Sequence, residues 1–121
     1  MLNQVVVVGR LVKDPEVETT ENGKERTYIT LAVQRAYKNE NGEYDTDFVD
    51  CVLWNQIATN TTEYCHKGDI IGVKGKIETN TYETEDGEKK KATNIVAERV
   101  TFLSSKSPDK SDDKSDDDLD M

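Results

Sequence analysis

Cysteine, histidine, long apolar runs and net positive charge are all scarce in this chain of 121 residues. Cys51 and Cys65 are its only two cysteines, too few for a disulfide framework and suited to a reducing compartment. His66 is the single histidine and no CxxC spacing occurs, so no zinc or other metal site and no cofactor is expected. The longest apolar run covers residues 5–8, far short of the roughly 20 residues of a membrane span. The N-terminus lacks a basic region followed by an apolar stretch and a small-residue cleavage site, so neither a membrane anchor nor secretion is expected. Basic residues number 16 against 25 acidic ones, a formal net charge of −9. Nucleic-acid-binding domains are ordinarily basic. Any such role must therefore rest on where the positive charges sit rather than on their sum.

The charge is unevenly placed. Residues 104–121, SSKSPDKSDDKSDDDLDM, carry a net of −4 with almost nothing apolar. Such a segment cannot bury enough surface to offset its ordering entropy. It is expected to be a disordered acidic tail after a single domain at residues 1–103, whose own net charge is −5.

Within that domain, β-branched and aromatic runs alternate with turn signals. Strands are expected over residues 2–12, 26–35, 47–54, 69–82 and 92–103, with turns at Asn22-Gly23, at residues 39–43 and at Asp86-Gly87. In the second strand Thr27, Ile29, Leu31 and Val33 share one parity, as a half-buried strand requires. Residues 56–67 change character: Ile57, Thr61, Tyr64 and Cys65 fall near one helical face, with Gly68 placed to follow the helix end. Three strands, one helix, then two strands suit an all-β, five-stranded Greek-key barrel of the oligonucleotide-binding (OB-fold) type, with one short helix between strands 3 and 4.

Strand parity also divides core from surface. On the third strand Val49, Cys51 and Leu53 point one way, while Phe48, Asp50, Val52 and Trp54 point the other. Two large aromatics thus share a face with a carboxylate. On the fourth strand Ile71, Val73, Gly75 and Ile77 form the inward set, and Lys74, Lys76, Glu78, Asn80 and Tyr82 the outward one. Arg35, Tyr37 and Lys38 repeat the mixture where the second strand enters its loop. Rings interleaved with cations are what an unpaired nucleic-acid strand needs, because bases stack on rings while Lys and Arg follow the phosphates. Packing is the competing reading for any one strand aromatic, and Tyr28 and Tyr64 are assigned to packing or an interface. The triplet Lys89-Lys90-Lys91 stays open between a solubilising hairpin tip and a ligand contact.

Catalytic readings fare worse. Asp45, Asp47 and Asp50 are too loosely spaced for a metal-dependent nuclease, and adjacent Cys65 and His66 point apart on a helix. No enzymatic activity is expected.

The residues just described also carry a resemblance. The stretches LNQVVVVGRLVKDPE, TLAVQRAYKN, DFVDCVLWNQIA, CHKGDIIGVKGKIETNTYE and AERVTFL resemble, in order and spacing, segments of the bacterial and phage single-stranded DNA-binding protein family. The resemblance implies a homotetramer that binds and protects single-stranded DNA without sequence preference during replication, recombination and repair. Family stacking positions match Tyr37, Phe48, Trp54 and Tyr82. Resemblance and parity together nominate Arg35, Lys38, Lys74 and Lys76 for backbone contacts, with Arg10 and Lys67 as further candidates. The family's acidic tail docks partner proteins, which would place that role on Asp116, Asp117, Asp118, Leu119 and Met121. Location in a bacterial cytoplasm or nucleoid, or in infected host cytoplasm, follows from the same likeness.

The chain departs from the family pattern at several points. Asn55 and Gln56 stand where relatives often carry basic residues, Asp50 and Asn80 stand where less acidic or more basic side chains are usual, and the terminal Pro-Phe is missing. Two other functions remain possible on the same barrel: RNA binding, separable by comparing DNA with RNA of equal length, and a protein-interaction module, favoured by the acidic barrel and opposed by the four aromatics.

Overall fold

Four consecutive valines open the first strand and pair along a later strand of the sheet. The computed structural model describes residues 1–104. Strand β1 is Val5–Leu11, β2 Glu18–Thr19, β3 Glu25–Lys38, β4 Tyr44–Trp54, α1 Asn55–Tyr64, β5 Ile70–Glu83 and β6 Lys89–Ser104. The strand order is β1-β5-β6-β4-β3-β2, and a further pairing of β1 with β3 closes the five long strands into a barrel. Closure uses one parallel contact, Cys51 with Ile95 and Val52 with Val96, among otherwise antiparallel ladders. This is the expected barrel, with its helix between the third and fourth long strands.

Alternation decides which side chains fill it. Leu11, Ile29, Leu31, Cys51, Leu53, Ile71, Val73, Ile95 and Ala97 form the core, with Ala58 of α1 and Cys65 beside it. Burial pushes the Cys51 thiol up to about 12 and the Cys65 thiol up to about 11. Both stay protonated at neutral pH, as packing groups rather than nucleophiles.

Several local expectations are corrected. Helix α1 ends at Tyr64 and Cys65 is extended, so Gly68 does not follow a helix end. Gly68 has φ 96° in a turn whose N–H donates to the Leu11 carbonyl at 2.9 Å. The helix buries Ala58 and Thr61, while Tyr64, expected on the same face, is exposed at the helix's last residue. Tyr64 instead meets Phe102, ring centres 6.1 Å apart. Ile77, expected inside, is exposed because β5 at that point has outrun the barrel and pairs with β6 alone. Val52, on the outward parity, is buried because it lies between Tyr28 and Val96 in the cross-strand register. The two-residue strand β2 was too short to show in the pattern. Ser104, placed in the tail by composition, ends β6; the remaining tail residues lie outside the described ones.

Strands β3 and β4, and β5 and β6, continue past the barrel as two-stranded arms. Their tips are closed in one way. Asn39 N–H donates to the Glu43 carbonyl and Gly42 N–H to the Asn39 carbonyl; Thr84, Glu88 and Gly87 repeat the pattern. Gly42 and Gly87 hold φ 79° and 85°, a left-handed conformation that disfavours other residues. Asn39 Oδ1 also accepts from the Asn41 and Glu43 N–H groups at 2.8 and 3.0 Å. These are three-residue turns made by their own sequence.

Candidate nucleic-acid interface

The outward face of the β3–β4 ladder is fixed by register. Ala32 lies opposite Phe48, Thr30 opposite Asp50, Tyr28 opposite Val52 and Arg26 opposite Trp54. The Tyr28–Val52 row continues to Val96 on β6 and then to Lys76 on β5. Phe48 and Trp54 stand six residues apart along β4, roughly 20 Å. One sheet surface therefore carries two stacking candidates and one basic candidate.

Exposure separates these rings from the core. Phe48 and Tyr37 are each 66% exposed and Tyr82 51%, against 0% for Leu31 and Leu53. A ring buried for packing would not be left so open. Trp54 is half-buried. Tyr37 lies in the stretch where the β3–β4 register shifts, between Gln34 and Lys38. Tyr82 sits on the β5–β6 arm directly opposite Lys90. Of the open lysine triplet, Lys90 thus lies across the ladder from Tyr82, while Lys89 and Lys91 lie opposite Glu83 and Thr81.

The cations are not equally available. Arg35 grips Asp47, with Nη2 2.9 Å from Oδ1 and Nε 3.1 Å from Oδ2, and its Nη1 lies 3.8 Å from Asp45 Oδ2. The hydrogen bonds to Asp47 raise the Arg35 pKa, and the same contact holds the Asp47 carboxyl below the usual carboxylate range. A phosphate at Arg35 must compete with these carboxylates. Lys38 Nζ lies 5.9 Å from the centre of the Tyr44 ring, and Lys76 Nζ lies 3.6 Å from Glu78 Oε2. Lys74 stands apart from the rings, its register neighbours being Val6 on β1 and Arg99 on β6. Arg10 donates from Nη1 to the Gly68 carbonyl at 2.8 Å, and the Lys67 N–H donates to Asp14 at 2.7 Å while its side chain is exposed. Asp116, Asp117, Asp118, Leu119 and Met121 fall outside the described residues.

Sequence reasoning named neither Arg26 nor Tyr44, left Lys90 open within its triplet and assigned Tyr28 to packing or an interface. For Tyr28 the signal was present: it belongs to the outward complement of Thr27, Ile29 and Leu31. Arg26 is invisible to parity alone because its setting depends on β2, where Glu18 Oε1 accepts from Nη2 at 2.8 Å. The carboxylates weighed for a nuclease are otherwise engaged, Asp45 and Asp47 with Arg35 and Asp50 with the Thr30 hydroxyl at 2.8 Å. Among the described residues, no three His, Cys, Asp or Glu side chains gather as a metal site. No helix there is long and apolar enough to cross a membrane.

Comparison with known proteins bears on this surface. Residues 2–103 match the Single-strand binding protein family. The chain is 44% identical over 110 residues to Single-stranded DNA-binding protein B of Bacillus subtilis, covering 91% of this chain and 97% of that protein. It is 47% identical over 106 residues to Single-stranded DNA-binding protein 3 of Listeria innocua, covering 88% of this chain and 66% of that protein. Against the Single-stranded DNA-binding protein of Bacillus cereus the identity is 43% over 107 residues, covering 63% of that protein.

Proposed function

The chain belongs to the single-strand binding protein family, and from that premise we propose how this barrel holds its ligand. It binds single-stranded DNA. Bases stack on Tyr37, Phe48, Trp54 and Tyr82, each contributing about 1–3 kcal/mol in a sequence-tolerant way. Lys38 and Lys76 neutralise phosphates beside those rings, and Arg35 joins them when a phosphate displaces Asp47. Lys74, Arg10 and Lys67 act at the margins of the surface. The observation that carries this reading is Phe48, two-thirds exposed on the outward face it shares with Trp54. The two arms extend the surface beyond the barrel.

The chain acts as a homotetramer in this reading. Strand β1 pairs with β5 from Val5 to Arg10 but with β3 only at Arg10 and Leu11, so among the described residues most of its second edge lacks a strand partner. Val6 and Val8, on its outward face, are 71% and 50% exposed, and Leu103 is 52% exposed. An open edge beside exposed aliphatic side chains suits pairing with a second copy of the chain. A single domain followed by an acidic tail, non-enzymatic action in replication, recombination and repair, and docking of partner proteins through that tail belong to the same proposal.

Trp54 is the only tryptophan and serves as reporter. Titration with oligo-thymidine, matched RNA and duplex DNA at two salt concentrations is expected to quench its emission with the DNA single strand alone, less so as salt rises. Equal quenching by RNA would move the function to RNA. No binding to any of the three would favour a protein-interaction module. Light scattering is expected to give the mass of four chains, and a monomer at working concentration would refute the tetramer.

A further inference from the structure

Tyr28 is out of place as a packing residue. It points outward from β3 and is 48% exposed, while Val52 directly across is 6% exposed. The ring thus stands over a covered aliphatic row with about half of its own surface open. The Arg26 guanidinium carbon lies 5.1 Å from the centre of the Tyr28 ring and 5.7 Å from that of Trp54. A planar cation is thereby set within cation–π distance of both rings. Glu18 fixes the guanidinium through Nη2 at 2.8 Å, and Arg26 Nε is buried with no hydrogen-bond partner. Beside the Tyr28 ring opens a cleft of about 270 Å³ lined also by Lys13, Asp14, Glu16 and Glu18. Three carboxylates against one lysine disfavour a phosphate in that cleft, but not an uncharged base. At the far end of the same cross-strand row, beyond Val52 and Val96, lies Lys76.

Resting on the single-strand-binding reading above, we propose that Tyr28, positioned by Arg26, is a further base-stacking residue that extends the Trp54 surface across the ladder onto β3. The ligand class is an unpaired nucleobase whose backbone passes on the Lys76 side. Arg26 acts through the two rings, keeping them at a fixed spacing, and Glu18 anchors it from β2.

The test uses the full chain, oligo-thymidine, and the variants Tyr28→Ala and Tyr28→Phe, with thermal melting of each. The Ala variant is expected to bind about 5- to 150-fold more weakly, the loss of one stacked base, and the Phe variant, which keeps the ring, within about twofold of the parent by the same reasoning. A strand carrying 5-iododeoxyuridine, irradiated on the unaltered protein, is expected to cross-link to Tyr28. If the parent binds the strand, the Ala variant binds equally well and no adduct maps to Tyr28, this proposal is overturned and the broader reading stands. If the parent binds no single strand at all, both fall. Should Tyr28→Ala fail to fold, the cross-link on the unaltered chain and the Phe variant decide.

Discussion

Strands β3 to β6 each run from the barrel into an arm, and the two halves of each strand obey different rules. In the barrel half the inward parity is buried: Thr27, Ile29 and Leu31 on β3, Cys51 and Leu53 on β4 with Val52 covered between them, Ile71 and Val73 on β5, Ile95 and Ala97 on β6. In the arm half, residues 34–38, 44–48 and 77–83 are all exposed. The barrel is held by apolar burial, which is sensitive to volume. The arms are held by ladder hydrogen bonds, the Asn39 and Thr84 turns and the Arg35–Asp47 pair, all open to water. One strand can thus be rigid where it defines the fold and more easily deformed where it runs beyond it.

The largest effect expected to sharpen this contrast is in the barrel. Leu53→Ala should destabilise the fold by about 2–5 kcal/mol, read by urea unfolding, with little change in single-strand affinity of the folded fraction. A loss below 1 kcal/mol would mean the barrel core is loosely packed. Tyr82→Ala in the arm should do the reverse, leaving the melting temperature unchanged while weakening single-strand binding by about 1–3 kcal/mol. A falling melting temperature with unchanged affinity would place Tyr82 in packing.

Asp47→Asn should free Arg35 for a phosphate. The expected signature is tighter binding at low salt and a plot of log affinity against log salt steeper by about 0.7. Asp47 has a lowered pKa in the fold, so its contribution to stability is present at neutral pH and is lost as pH falls through that lowered value. Parent and variant should therefore converge on acidification, and a difference that persists in acid would point to another origin. The smallest effect concerns motion. Amide hydrogens of the arm ladders at residues 78–83 and 89–94 should exchange faster than those at Ile71 and Val73, and uniform protection would merge arm and barrel into one cooperative unit.

How far the sequence could be followed differs between these regions for a physical reason. Thr27, Ile29 and Leu31 announced their face because a strand repeats every two residues, and the Asn-Gly and Asp-Gly turns announced themselves because few other residues hold a positive φ. Parity carried the reading to Phe48 and Trp54 as outward rings. It failed at Ile77, because whether an inward-pointing residue is buried depends on the partner strands still being there. It also failed at Val52, covered on the outside by neighbours from β3 and β6. Helix α1 was placed within a few residues, but its start at Asn55, with φ 55°, follows from the way β4 leaves the barrel.

The amino-acid order alone determined the alternation, the hairpin tips, the acidic balance and the four candidate stacking rings, since each is a local property of a few adjacent residues. Tertiary structure decided which rings share a surface, that Arg35 is held by Asp47, that Lys90 rather than its neighbours faces Tyr82, and that Arg26 lies beside both Tyr28 and Trp54. These depend on register between strands far apart in the chain. Register is set by the closure of the whole barrel, not by any one segment of it.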